Sequence, residues 1–165
     1  MPATVVELFA YLDRLEIDHT TVEHEPLHTV EVSQALRGQI AGAHTKNLFL
    51  WDRKSKFFLV TAQESTKIAL NGLHRKLGAA GRLSFGSEDK MLEFLGVTPG
   101  SVTPFGLVND KTHAVQFVLD PALAGAEIIN CHPLTNTMTT SIKMADFRRF
   151  LEATGHPPLV LPLAD

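Results

Sequence analysis

The chain is poor in the residues that most often announce chemistry. Of its 165 residues one is a cysteine, Cys131, so no disulfide can close within it and no four-cysteine zinc site can be built. A reducing, cytoplasmic setting is the expectation. Excess charge is scarce as well: 15 Lys and Arg against 18 Asp and Glu leave a formal net charge of −3. That balance excludes a protein that coats DNA or RNA by bulk attraction, and any nucleic-acid partner needs a local basic patch. No apolar run reaches the ~20 residues that span a bilayer. The opening MPATVVELFAYLDRLE carries acidic residues where a secretion signal carries basic ones, so no membrane partner is expected. The phosphate-cradling patterns G-x-x-x-x-G-K and G-x-G-x-x-G do not occur, which removes the basis for P-loop hydrolysis or hydride transfer. No cofactor is called for.

What is present is a core: 44% hydrophobic and 20% charged residues fit one compact domain over residues 1–165. Val5, Leu8, Leu12 and Leu15 recur at helical spacing from Thr4 to Ile17, with Thr4 and Glu7 placed to close a capping box. Thr20 to Glu23 reads as a strand, Pro26 as a break and Val30 to Leu36 as a short helix. Asn47 to Trp51 and Lys56 to Ala62 are β-rich runs joined by the charged turn Asp52 to Ser55, a hairpin. Thr66 to Leu77 and Glu88 to Leu95 suit helices closed by Gly78 and Gly96, with a brief strand at Arg82 to Phe85 between them. The stretch GVTPGSVTP predicts an ordered loop. Ala114 to Leu119, Glu127 to Ile129 and Thr137 to Ile142 predict strands, Met144 to Ala153 a last helix, and HPPLVLPLAD an extended tail. Several strands are joined too tightly for crossover connections. The expected class is α+β, with a mixed, largely antiparallel, partly barrel-like sheet surrounded by helices.

Two familiar motifs fail on inspection. His24-Glu25-Pro26-Leu27-His28 satisfies the letter of H-E-x-x-H, but a zinc site needs both histidines one turn apart on one helix, and Pro26 breaks a helix there. No metal site is expected. Cys131 beside His132 suggests a thiolate and its base, yet adjacent residues of an extended chain point to opposite faces, and a buried inert thiol fits Cys131 better. Three quieter segments remain: Thr45-Lys46-Asn47-Leu48-Phe49, where a lysine opens an apolar strand; Gly100-Ser101-Val102-Thr103-Pro104; and His132-Pro133-Leu134-Thr135-Asn136-Thr137. Singly they also read as an edge lysine, loop punctuation and a structural histidine.

Taken in order, these segments resemble the YbaK/prolyl-tRNA synthetase editing-domain family, in which Lys46, Gly100 to Pro104 and the H-P-L-x-N-T turn match the family's motifs over nearly the whole chain. The runs GSVTPFGLVND and HPLTNTMTTSI look most like its alanine-specific, free-standing branch, ProXp-ala. The resemblance implies hydrolysis of misacylated proline tRNA, most of all alanyl-tRNA(Pro), with prolyl-tRNA synthetase as a candidate further partner. It implies that the Gly100 loop brings backbone groups to the scissile ester, and that a ribose hydroxyl of the tRNA helps to hold the attacking water. An ester is already activated, so positioning and oxyanion stabilisation suffice and no strong nucleophile is needed. On this reading Lys46, Gly100 and His132 are the catalytic candidates, Lys46 holding a phosphate or the ester oxygen. Asn47 and His132 orient substrate, general-base catalysis by His132 being the alternative; Ser101, Thr103, Pro104 and Asn136 line the substrate. Leu27, Val30 and Phe49 are candidate walls of a pocket that admits alanine and excludes the larger proline, with core packing as the alternative reading of all three. Arg53, Lys54, Lys56, Lys67, Arg75, Lys76 and Arg82 are the cations available to grip phosphates. A deacylase for cysteinyl-tRNA(Pro) or another misacylated tRNA and a non-catalytic aminoacyl-tRNA binding module are the competing readings.

Overall fold

A computed structural model of the chain describes residues 2–26 and 40–164. Helix α1 (Val5–Arg14) begins where its sequence signals place it. The Thr4 hydroxyl accepts from the Glu7 amide while the Glu7 carboxylate accepts from the Thr4 amide, and Leu8 and Leu12 turn fully inward. Strand β1 (His19–Glu23) follows. The expected helix at Val30 to Leu36, and the pocket walls Leu27 and Val30, lie outside the described residues.

Strands β2 (Ala43–Trp51) and β3 (Phe57–Gln63) form the expected antiparallel hairpin, with Thr45 opposite Gln63 and Trp51 opposite Phe57. Its charged turn is organised by Asp52, whose buried carboxylate accepts the amides of Lys54, Lys56 and Ala80. Those donors, Ala80 first, hold its pKa below the ordinary carboxylate range against the opposing effect of burial. The chain continues through α2 (Leu73–Leu77), β4 (Ser84–Phe85), α3 (Glu88–Leu95), a 3₁₀ helix (Pro104–Asn109), β5 (Val115–Leu119) and α4 (Pro121–Ala124). It closes with β6 (Ile128–Cys131), β7 (Met138–Lys143), α5 (Met144–Thr154) and β8 (Leu159–Val160).

The strands run in the order β1-β7-β6-β2-β3-β5-β8, with β4 attached to β2. The pairs β1–β7, β6–β7, β2–β3 and β2–β4 are antiparallel; β2–β6, β3–β5 and β5–β8 are parallel. This is the mixed, largely antiparallel sheet with surrounding helices that the sequence implies. Strand β2 is its pivot. One edge follows β3 along its length, while the other meets β6 at Ala43 and His44 and β4 at Leu50 and Trp51.

Because β3 alternates Phe57 and Leu59 with Phe58, Val60 and Ala62, and all five are buried, it faces apolar layers on both sides. Phe57 and Leu59 join the main core with α1, α5 and the 3₁₀ helix; Phe58, Val60 and Ala62 join a smaller one with Leu73, Leu77 and Leu163. The expected helix from Thr66 to Leu77 shrinks to its last turn. Gly72 sits at φ +81 immediately before it, and the Ala69 amide bonds to the Leu163 carbonyl of the tail, so tertiary pairing displaces the helical ladder. The tail is extended as expected, and it docks: β8 pairs with β5, and the fully buried Leu163 closes the smaller core.

Candidate functional site

Side-chain alternation along β2 sorts the first motif into two jobs. Asn47 and Phe49 point to the main core, whereas Lys46 shares the opposite face with Leu48 and Leu50. Asn47 is committed there: it accepts the Thr61 hydroxyl and donates its side-chain amide to the Val102 carbonyl at 3.1 Å. Expected to orient substrate, it instead ties the Gly100–Pro104 loop to the sheet. Phe49 corrects the sequence reading. It is 2% exposed, stacks on Phe57 at 5.3 Å and packs against Gly86, so it is core and not a pocket wall, because its odd position on β2 aims it inward.

The loop divides in the same way. Gly100 is exposed at φ +89, a backbone conformation that favours glycine, and a Cβ built there would lie 3.4 Å from the Asn136 amide nitrogen. Loop and H-P-L-T-N-T turn therefore touch. Ser101 and Thr103 are buried, and Thr103 caps the 3₁₀ helix by accepting the Phe105 amide, with Pro104 at its first turn. These three hold the loop's shape, leaving Gly100 as its presented residue.

His132 follows β6. Ala43 lies level with Ile129 and His44 with Asn130 in the parallel ladder; Lys46 lies two residues past its end on β2, and His132 two residues past it on the neighbouring chain, just after β6 closes at Cys131. The His132 Nδ1 lies 2.9 Å from the Met138 carbonyl, and a carbonyl only accepts, so Nδ1 carries the hydrogen and Nε2 is the lone-pair nitrogen of the neutral ring. Burial first, and the neighbouring His24 second, push its pKa below the ordinary histidine value, while the Met138 carbonyl and the Glu64 charge oppose them. A neutral acceptor at physiological pH results.

Two residues that the sequence reading passed over stand beside it. His24, dismissed with its zinc-like motif, lies with its ring centroid 6.4 Å from that of His132. Its Nδ1 donates to the Glu25 carbonyl at 2.7 Å and its Nε2 lies 2.8 Å from the Thr139 hydroxyl. Glu64 ends the hairpin, its amide bonded to the His44 carbonyl at 2.7 Å, which sets it across β2 on the Lys46 face. Only the β1–β7 and β2–β3 registers bring these residues in, and no local pattern signals them. Cys131 faces the other way, 3% exposed in the main core, with its thiol pushed up to about 12 by burial. It is no nucleophile.

The arrangement is thus a lysine within β2 and a neutral imidazole just past the end of β6, with a glycine turn abutting the loop that follows that histidine. Residues 24–150 match the family model described as "Aminoacyl-tRNA editing domain". The chain belongs to that family. The editing domain is 43% identical over 157 residues to "Prolyl-tRNA synthetase associated domain-containing protein 1" of Danio rerio, a match covering 94% of the chain and 85% of that relative. It is 37% identical over 150 residues to "Prolyl-tRNA editing protein ProX" of Acetoanaerobium sticklandii, covering 90% and 91%. A solved structure provisionally described as a trans-editing enzyme for prolyl tRNA synthetase shares its fold, with a TM-score of 0.69 at 17% identity over 100% of the editing domain and 99% of that chain.

Proposed function

We propose that the editing domain is a trans-acting deacylase of misacylated tRNA(Pro), with alanyl-tRNA(Pro) as its principal substrate. One observation carries the reading: Asn47, on the strand that carries Lys46, ties down the Gly100 loop, and that loop abuts the turn that follows His132. Lys46 offers its ammonium to a phosphate or to the oxygen that gains charge as the ester is attacked, where one well-placed donor contributes about 10² to 10³ in rate. Gly100 lets the backbone approach the ester. A water held in part by the tRNA's own ribose hydroxyl is the attacking group, in keeping with an inert Cys131.

A cleft of about 710 Å³ lined by Arg75, Arg82, His74, Asn71, Leu50 and Phe85 supports the tRNA part of the reading. Leu50 lies on the Lys46 face of β2, four residues on, which is about 13 Å along a strand. A phosphate backbone seated on Arg75 and Arg82 delivers its 3′ end toward Lys46. Prolyl-tRNA synthetase, named in the relatives, is the candidate source of the misacylated tRNA, and a cytoplasmic setting fits both. Discrimination against proline rests on size. A deacylation panel of alanyl-, cysteinyl-, seryl- and prolyl-tRNA(Pro) tests the proposal: rapid loss of alanine with proline retained supports it, and preference for cysteine or inertness toward all four overturns it.

A further inference from the structure

The wall that carries Arg75 into the cleft cannot hold itself. It is built on α2, one turn of five residues entered through Gly72, which has no side chain to cap it. An isolated turn of that length is not stable in water. Its support comes from the C-terminal tail. Before the turn the Ala69 amide donates to the Leu163 carbonyl; beneath it Leu73 and Leu77 share the smaller core with the fully buried Leu163. On its outer side the Lys76 ammonium donates to the carbonyls of Pro162 and Ala164, at 3.2 Å each. Lys76, expected among the cations that grip phosphate, is thus committed to the tail, and its neighbour Arg75 is the one that lines the cleft. The tail is anchored in turn. Strand β8 pairs with β5, the Leu161 amide donates to the Leu119 carbonyl, and the Leu163 amide donates to the buried Asp120 carboxylate at 2.9 Å. Yet none of the described tail residues lines the cleft.

We propose that residues 161–164 are a positioning strap for the cleft: clasped by Lys76, they hold Arg75 where a phosphate backbone meets it, and so set the affinity for tRNA without touching it. The inference rests on the reading of that cleft as the seat of the tRNA, and adds the element that makes the seat rigid. An arginine on an unsupported turn must be ordered at the moment of binding, whereas the strap orders it in the folded protein beforehand. The effect falls on binding and not on the ester, because Lys46 lies about 13 Å along the strand from Leu50, where that strand meets the cleft.

The test measures KM and kcat for alanyl-tRNA(Pro), and the rate on alanine esterified to the ribose of 5′-AMP, a substrate too short to reach the cleft. K76M and L163A are each expected to raise KM for the tRNA about tenfold, the scale of one charged contact, with kcat and the rate on the short ester within about twofold of wild type. K76R, which can still donate to both carbonyls, should keep a KM near that of wild type. L163A removes no charge, so its effect cannot be a lost phosphate contact, and K76M decides where L163A fails to fold. Adding R75M to K76M should cost little more than R75M alone, because both act through one contact. A wild-type KM in K76M overturns the proposal, as does a double variant whose loss is the product of the single losses. Variants that slow the short ester as much as the tRNA also overturn it. R75M that by itself leaves KM unchanged overturns the cleft reading and the strap with it. If the wild type hydrolyses neither substrate the deacylase reading falls, a distinct result, and the Kd of the same variants for uncharged tRNA(Pro) decides the strap.

Discussion

Asn47 donates its side-chain amide to the carbonyl of Val102 at 3.1 Å, so the strand that presents Lys46 also holds the loop that presents Gly100. The two motifs are far apart in the chain and mechanically one unit. Asn47→Ala is therefore expected to cut deacylation at least tenfold while Lys46 remains in place. It leaves the buried Thr61 hydroxyl without its acceptor, a loss of about 1 to 3 kcal/mol that urea unfolding will read.

Gly100 separates backbone need from side-chain need. At φ +89, alanine is strained by about 1 to 3 kcal/mol, and its Cβ meets Asn136 only at ordinary contact distance. Gly100→Ala should lower activity far more than the melting temperature, since the loop is exposed there and can relax out of shape. A variant with wild-type turnover contradicts the assignment of Gly100 to the ester.

Asp110 and His156 form a pair away from the site, 2.8 Å apart with both side chains 1% exposed. Burial raises the Asp110 pKa, but the bonds from His156, Val115 and Ala114 outweigh it, and the net shift is downward. A carboxylate depressed in the folded state binds protons more readily when unfolded. Its stabilisation is present above the unfolded value near 4 and is lost as pH falls through the lower folded value. Asp110→Asn should flatten the loss of stability below pH about 4, measured by denaturant unfolding across pH, and lower stability near neutrality by about 1 to 3 kcal/mol as its buried hydrogen bonds weaken.

Cys131 provides a negative control for mechanism. With its thiol raised to about 12 and buried, iodoacetamide should label it only after denaturation. Cys131→Ala should keep deacylation within a few-fold of wild type, at a modest cost from the small cavity left in the core. Rapid native labelling that abolishes activity points to a thiol mechanism instead.

The sequence carried the local elements well because their signals are local: the Thr4–Glu7 capping box, the closing glycines Gly78 and Gly96, and the β2–β3 hairpin each need only neighbouring residues. It misjudged Thr66 to Gly72, where the tail's Leu163 takes the Ala69 amide. It placed Phe49 on a pocket wall because composition does not reveal which face of a strand lines a core. The motifs singled out Lys46 and His132 as candidates. His24 and Glu64 were hidden, since their place is set by registers spanning more than a hundred residues in the first case and by the hairpin's far end in the second.

The central claim is that Lys46 acts on an aminoacyl ester of tRNA(Pro). Its most direct test is single-turnover hydrolysis of alanyl-tRNA(Pro) by wild type and by K46A, with binding of the same tRNA measured alongside and unchanged melting as the check on folding. The account predicts hydrolysis well above the buffer rate for wild type and a loss of about 10² or more in K46A. Wild-type protein that binds alanyl-tRNA(Pro) and leaves it intact, or a K46A variant that hydrolyses it at the wild-type rate, contradicts the account.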